Sequence, residues 1–212
     1  MSERDIIGAV VEYYEAKLAT FGTTARGVDW KDEASQTKRF EQLIRGLGVE
    51  ADGRFSILDF GCGYGALLTF LTRHGWRGTY TGYDRSPRMV AVASQLHEGA
   101  PGVHFTSDWN IVGEADYVVA SGVFNVRLDA PDSDWHEHVI RTLTLLNGKA
   151  TAGWAVNFLT AYADEDRKRS ELCYASPTVI FDWCRRSASR WVSVLHDYEL
   201  YEFTVAVSRR PR

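Results

Sequence analysis

The chain runs to 212 residues, 45% of them hydrophobic, enough to bury the core of one full domain. Its formal net charge is −4 with lysines and arginines scattered, so no basic stripe marks a nucleic-acid partner. Cys62, Cys173 and Cys184 lie far apart with no Cys-x-x-Cys pair, which supports neither a disulfide frame nor a zinc site. The start, "MSERDIIGAVVEYYEAKL", has charges in its first five residues and no cleavable apolar core, so it does not read as a signal peptide. No apolar run approaches the roughly 20 residues of a membrane span. A reduced, cytoplasmic protein without membrane contact is expected.

Ile7, Val10, Val11, Tyr14 and Leu18 recur at helical spacing, and Thr37, Phe40, Leu43, Ile44 and Leu47 do so again. Between them "FGTTARGVDW" is a loop carrying Arg26, Asp29 and Trp30. Residues 1–50 thus read as a helical extension, either a lid over a pocket or one more packed layer. From Phe55 strands and helices alternate. "FSILDF" is a strand, "ALLTFLTRH" a helix, and "TYTGYD" a second strand. "SPRMVAVASQL" opens with a Ser-Pro pair suited to a helix start. "VHFT" and "ADYVVAS" are the third and fourth strands, and "DSDWHEHVIRTLTLL" is a helix with Trp135, Val139, Leu143 and Leu146 near one face. His136 and His138, two apart on it, fall on different faces and are expected in solvent. "KATAGWAVNFLT" is a fifth strand, "SPTVIFDWCRR" a helix, and "WVSVLHDYELYEFTVAV" an antiparallel hairpin. The expected fold is α/β: an open, mostly parallel, seven-stranded Rossmann-like sheet with helices on both faces. Its ligand site belongs at the carboxyl ends of the first strands, where "DFGCGYG" lies.

"GCGYGA" satisfies a G-x-G-x-x-G/A fingerprint through Gly61, Gly63 and Ala66, a weak signal alone. Its neighbours carry more. Asp59 would repel a pyrophosphate docked on the next helix N-terminus and suits a ligand bearing an ammonium group. S-adenosyl-L-methionine is such a ligand, with no phosphate, a sulfonium and an α-amino group. Asp84, closing the next strand, either accepts both ribose hydroxyls or caps the helix near Pro87. In "SDW" Asp108 is placed to accept from the adenine amino group and Trp109 to face its ring, unless the pair is an exposed turn. Ser121 and Gly122 end the fourth strand beside the expected reactive centre.

These segments resemble the class I S-adenosylmethionine-dependent methyltransferase family. "LDFGCGYG" is similar to its first motif, "YTGYDRSPRMV" to its ribose-binding strand end and next helix, "TSDW" to its adenine contact and "ADYVVASGVFN" to its fourth strand. The C-terminal hairpin resembles its reversed last strand, so the likeness covers residues 55–208. It implies one structural domain, with residues 51–212 as the methyltransferase unit and 1–50 as the extension. By position it implies S-adenosyl-L-methionine contacts at Asp59, Gly61, Gly63, Asp84 and Asp108, with Met89 against adenine. Cys62, Arg85, Trp109, Ser121 and Gly122 complete the expected cofactor set. Cys62 reads as a small filler between glycines rather than a nucleophile.

"SGVFN" lacks the Asn/Asp-Pro-Pro-Tyr pattern of family members acting on planar amide or exocyclic amino nitrogens. Asp132 and Asp134 lack the partner Asp-Asn pair of the family's magnesium sites, so no metal is expected. Gln36, Trp30 and Arg39 are candidates to close over the cofactor, Arg39 as partner of its carboxylate or as a plain surface cation. Tyr14, Trp30, Asn125, Asn157 and Tyr162 are the candidate acceptor contacts, with Asp29 and Tyr174 weaker. Methyl transfer to an O, N or S atom of a small organic acceptor is the leading expectation, with no single catalytic residue required. The alternatives are an RNA or protein methyltransferase, a nicotinamide dehydrogenase and a non-catalytic cofactor binder.

Overall fold

A computed structural model describes residues 3–211. Its strands are β1 (Ile57–Phe60), β2 (Tyr80–Tyr83), β3 (Val103–Thr106), β4 (Ala115–Ala120), β5 (Ala150–Thr160), β6 (Tyr174–Ala175), β7 (Trp191–Leu195) and β8 (Glu202–Ser208). Its helices are α1 (Glu3–Phe21), α2 (Glu33–Leu47), α3 (Ala66–Arg73), α4 (Pro87–Leu96), α5 (Asp132–Lys149) and α6 (Pro177–Ser187). The sheet order is β3-β2-β1-β4-β5-β8-β7, with β8 antiparallel to both neighbours. This is the expected Rossmann-like sheet with its closing hairpin. The count of seven needs one correction: β6 adds a two-residue strand paired parallel to Leu159 and Thr160. Two residues before a Ser-Pro step are too few to show any period, so sequence pattern could not reveal it.

Both faces of the sheet are buried, and side chains alternate between them. Ile57, Val119, Ala155 and Ala206 join one cluster with α2 and α3, while Leu58, Val118, Val156 and Val205 join another with α5 and α6. The rings of Phe124, Phe158 and Phe203 stack in series at 5.2 and 5.3 Å, tying the turn after β4 to β5 and β8. Only a three-residue 3-10 turn, Trp109–Ile111, stands between β3 and β4. Ile6 and, half-buried, Val10 of α1 pack into the second cluster with Leu58 and Trp135. α1 is therefore a packed layer. Its predicted apolar stripe faces a cavity rather than solid core: Ile7, Val10, Val11 and Tyr14 all line that space.

α2 starts with a reciprocal cap: the Asp32 carboxylate accepts from Ser35 N at 2.8 Å, and Asp32 N donates to Ser35 Oγ at 3.3 Å. Phe40, Leu43, Ile44 and Leu47 are buried as their spacing predicts. Arg39 is buried too, which overturns both expectations for it. Its Nε reaches both carboxylate oxygens of Glu202 at 2.9 and 3.0 Å, and Nη1 donates to Ser35 O at 2.7 Å. The guanidinium lies 3.8 Å over the Trp30 ring. Partners 163 residues apart meet because β8 returns beside β5, under α2. Burial pushes the Glu202 carboxyl up against the opposing pull of Arg39.

Glu202→Ala would leave a buried guanidinium unpaired and should cost about 3–5 kcal/mol. Urea denaturation should show this loss, and Arg39→Met combined with Glu202→Leu should recover most of it. A Glu202→Ala protein as stable as the wild type would mean that the pair does not hold α2 to the sheet.

Candidate functional site

The chain turns from β1 into α3 through three glycines at positive φ, Gly61 (76°), Gly63 (54°) and Gly65 (83°). At Gly61 a Cβ would lie 2.4 Å from Val123 Cγ1, so this position also needs the missing side chain. The amides of Gly61 and Cys62 donate to Tyr83 O at 2.7 and 3.0 Å, stapling the loop to the end of β2. Gly63 N donates to Asp84 Oδ2 at 2.9 Å and Ser86 N to Asp84 Oδ1 at 2.9 Å. Each oxygen of this carboxylate is thereby oriented by one backbone N–H and keeps further accepting capacity. The cap of α4 is Ser86, whose Oγ accepts from Met89 N at 3.1 Å. Burial raises the Asp84 carboxyl, the two amides pull it down, and Glu15 pushes it up again.

Asp59 is 2% exposed and accepts from Tyr80 Oη at 2.5 Å. Burial lifts its carboxyl to about 7, against the Tyr80 bond that lowers it and with a further push from Asp84. The acid expected as a fixed anion is thus balanced between charged and neutral near neutral pH. The Cys62 thiol is buried, pushed well above its ordinary value first by desolvation, then by Asp84 and Asp59. A thiol so protonated is no nucleophile.

These groups border one cavity of about 250 Å³. The glycine loop, Asp59, Asp84, Arg85 and Met89 form one side; Ser121 and Gly122 come from the turn after β4; Tyr14, Val28 and Trp30 close over it. Trp109 enters edge-on to Phe60 at 5.5 Å and Tyr83 at 4.9 Å between ring centres. Gln36 is on the wall and accepts from Tyr64 Oη at 3.3 Å. Trp30 covers Gly122 so closely that a Cβ there would sit 2.4 Å from its indole. Burial is the main cause that raises the Tyr14 hydroxyl, followed by Asp29.

Five candidates lie elsewhere. Arg39 is spent on Glu202. Asp108 is exposed, its Oδ1 accepting from Asn110 N and Nδ2 at 2.9 Å, which is the turn reading of "SDW". Asn157 is fully buried, accepting from Gly122 N at 2.8 Å, so it braces the turn after β4. Tyr162 is 69% exposed beside His196. Asn125 is buried beyond the Gly122 turn, outside the wall itself. Of the weaker pair, Asp29 accepts from Tyr13 Oη at 2.7 Å and pairs with Lys17 at 2.7 Å, and Tyr174 Oη accepts from Arg169 N at 2.9 Å.

The wall also contains residues that motif reading passed over. Trp135, His138, Thr142 and Leu145 of α5 line it, and His138 is half-buried against Trp135 at 5.2 Å rather than in solvent. His136 is exposed as expected. The i, i+3, i+7, i+10 spacing of the four was the available signal. A histidine and a threonine on it weaken its apolar signal beside the Trp135, Val139, Leu143 and Leu146 face. Among the described residues no helix is long and apolar enough to cross a membrane.

The family described as "Methyltransferase domain" matches residues 15–146. The protein named "Putative methyltransferase Rv1506c" from Mycobacterium tuberculosis (strain ATCC 25618 / H37Rv) is 47% identical over 161 residues, 76% of this chain and 97% of that one. Among solved structures, magnesium protoporphyrin IX methyltransferase from Synechocystis PCC 6803 with bound SAM superposes with a TM-score of 0.67 at 16% identity, covering 96% of each chain. The N-methyltransferase NodS from Bradyrhizobium japonicum WM9 with S-adenosyl-L-homocysteine gives 0.62 at 15% identity, over 92% of this chain and 96% of that one. At such identity these two show a shared fold. With the sequence relative and the domain match, they lead to one assignment: the chain belongs to the class I S-adenosylmethionine-dependent methyltransferases.

Proposed function

We propose that this methyltransferase acts on an O, N or S atom of a small organic acceptor in the cavity at the carboxyl ends of β1, β2 and β4. The observation that carries the reading is the contribution of the chain's own α1, Val28 and Trp30 to the wall of that cavity. A cavity walled in this way by the N-terminal segment suits a compact molecule better than a polymer. The acceptors named for structural relatives differ, from magnesium protoporphyrin IX to the setting of an RNA repair complex, so none is carried over.

The residues at the glycine loop fit S-adenosylmethionine. Buried Asp59 and half-buried Asp84 border the space, Asp84 is oriented by amides on both oxygens, and Met89 and Trp109 supply apolar surface. When bound, S-adenosylmethionine supplies a methyl carbon already activated by its sulfonium. Asp84 would hold the ribose hydroxyls and Asp59 the cationic amino-acid end. Gly61 and Gly63 let the backbone approach where a Cβ would meet Val123 or Val28. The chain's contribution to rate is alignment and exclusion of water by α1 and Trp30, on the order of several kcal/mol from positioning. His138 places an imidazole on the wall for an acceptor that has to lose a proton.

Three outcomes test this reading. Asp84→Ala should weaken S-adenosylmethionine binding by about 1–3 kcal/mol, the scale of hydrogen bonds to a charged group; unchanged affinity by calorimetry would remove Asp84 from the site. Below about 7 the Asp59 carboxyl is mostly protonated, and a cation beside it favours the charged form, so binding should expel a proton. Affinity should therefore rise from pH 5.5 to 7.5, and calorimetry at pH 6.5 in phosphate and imidazole should report the released proton. Asp59→Asn should abolish that release. Finally, a panel of phenols, amines and thiols should yield S-adenosylhomocysteine, while bulk tRNA and denatured protein should not. The reverse result would favour an RNA or protein acceptor.

A further inference from the structure

Asn125 lies in the turn after β4 and is 4% exposed, yet neither Oδ1 nor Nδ2 of its side chain has a hydrogen-bond partner among the described residues. Its backbone is fully engaged: Asn125 N donates to Gly122 O at 3.3 Å, and Asn125 O accepts from Cys173 N at 2.8 Å. The carboxamide is thus held in place and left unspent. Buried polar groups without partners are rare because desolvation is not repaid, and they gather where a ligand completes them.

A Cβ built on Gly122 would lie 2.4 Å from the Trp30 indole and 3.7 Å from Asn125 Nδ2, so both side chains lie near that glycine. Trp30 and Gly122 border the cavity, and Asn125 lies just outside its wall. Trp30 sits between a 3-10 turn (Ala25–Val28) and α2, outside regular structure, with its ring stacked on Arg39. Asn157 fixes the floor beneath, accepting from Gly122 N and reaching Ser121 Oγ at 3.5 Å.

We propose that Asn125 is an acceptor-positioning residue and that the acceptor's flat body takes the place the Trp30 indole holds over Gly122. A single carboxamide offers a donor and an acceptor in one plane. The ligand class it selects is a planar unsaturated ring carrying an amide, lactam, carboxyl or similar donor–acceptor edge. This inference rests on the small-acceptor reading and adds the chemistry that would select the acceptor.

The test uses the full chain saturated with S-adenosylhomocysteine, with benzamide and toluene as probes in ligand-observed NMR titrations. Trp30→Ala should bind benzamide at least about tenfold more tightly than toluene, roughly the value of one well-made polar contact. It should also bind benzamide more tightly than the wild type does. Adding Asn125→Leu, close in volume but apolar, should erase the preference while S-adenosylhomocysteine affinity is retained. Equal binding of both probes to Trp30→Ala, or a preference that survives Asn125→Leu, overturns the proposal. Should Trp30→Ala lose S-adenosylhomocysteine binding, Trp30→Leu, which keeps apolar cover on Arg39, takes its place with the same criteria. Equal probe binding sinks the Asn125 subsite alone, whereas a wild type that methylates no small molecule sinks the reading beneath it.

Discussion

Two carboxylates, buried Asp59 and half-buried Asp84, stand at the ends of adjacent parallel strands and cannot both carry full charge at no cost, and the cavity is organised around that constraint. β1 and β2 run in register from Ile57 opposite Tyr80 to Phe60 opposite Tyr83, which brings Asp59 and Asp84 to neighbouring strand ends. Asp84 is compensated by two backbone amides, one of them from the glycine loop itself. Asp59 has only the Tyr80 hydroxyl and is lifted to about 7. An opposite charge beside a carboxylate in that condition would stabilise its charged form.

The N-terminal segment supplies part of the cavity's wall. The link between β3 and β4 holds only a short turn, and α1 packs into the cluster that includes residues of β1 and β4, with Ile6 in the core and the stripe from Ile7 to Tyr14 toward the cavity. Trp30 is held by a chain of contacts that begins at the far side of the sheet: Glu202 on β8 fixes Arg39, and Arg39 carries the indole. The C-terminal hairpin therefore matters to the cavity without touching it. A break in that pair would act on the cover as well as on stability.

Much of the fold was legible because parallel strands buried on both faces leave a direct trace in sequence, short apolar runs separated by helical periods. The glycine loop was legible because positive φ admits few residues other than glycine. Asp59, Gly61, Cys62, Gly63, Asp84, Arg85, Met89, Trp109, Ser121 and Gly122 all lie on one wall, as their places at strand ends imply. Arg39 was misread because its partner lies far along the chain, and no local pattern shows an ion pair formed by strand order. Asn157 was misplaced for a related reason. At the end of β5 its side chain turned inward to brace Gly122, and an alternating strand offers either direction.

The sequence by itself determined the class of sheet, the place of the glycine turn and the acids beside it, because each depends on backbone geometry and short-range pattern. Only the tertiary structure decided what those acids experience, what covers them and which amide stays unpaired. Desolvation, the stacking of Trp30 on Arg39 and the packing of α5 against the cavity arise from contacts between segments far apart in the chain. Such contacts exist only once the sheet has brought them together.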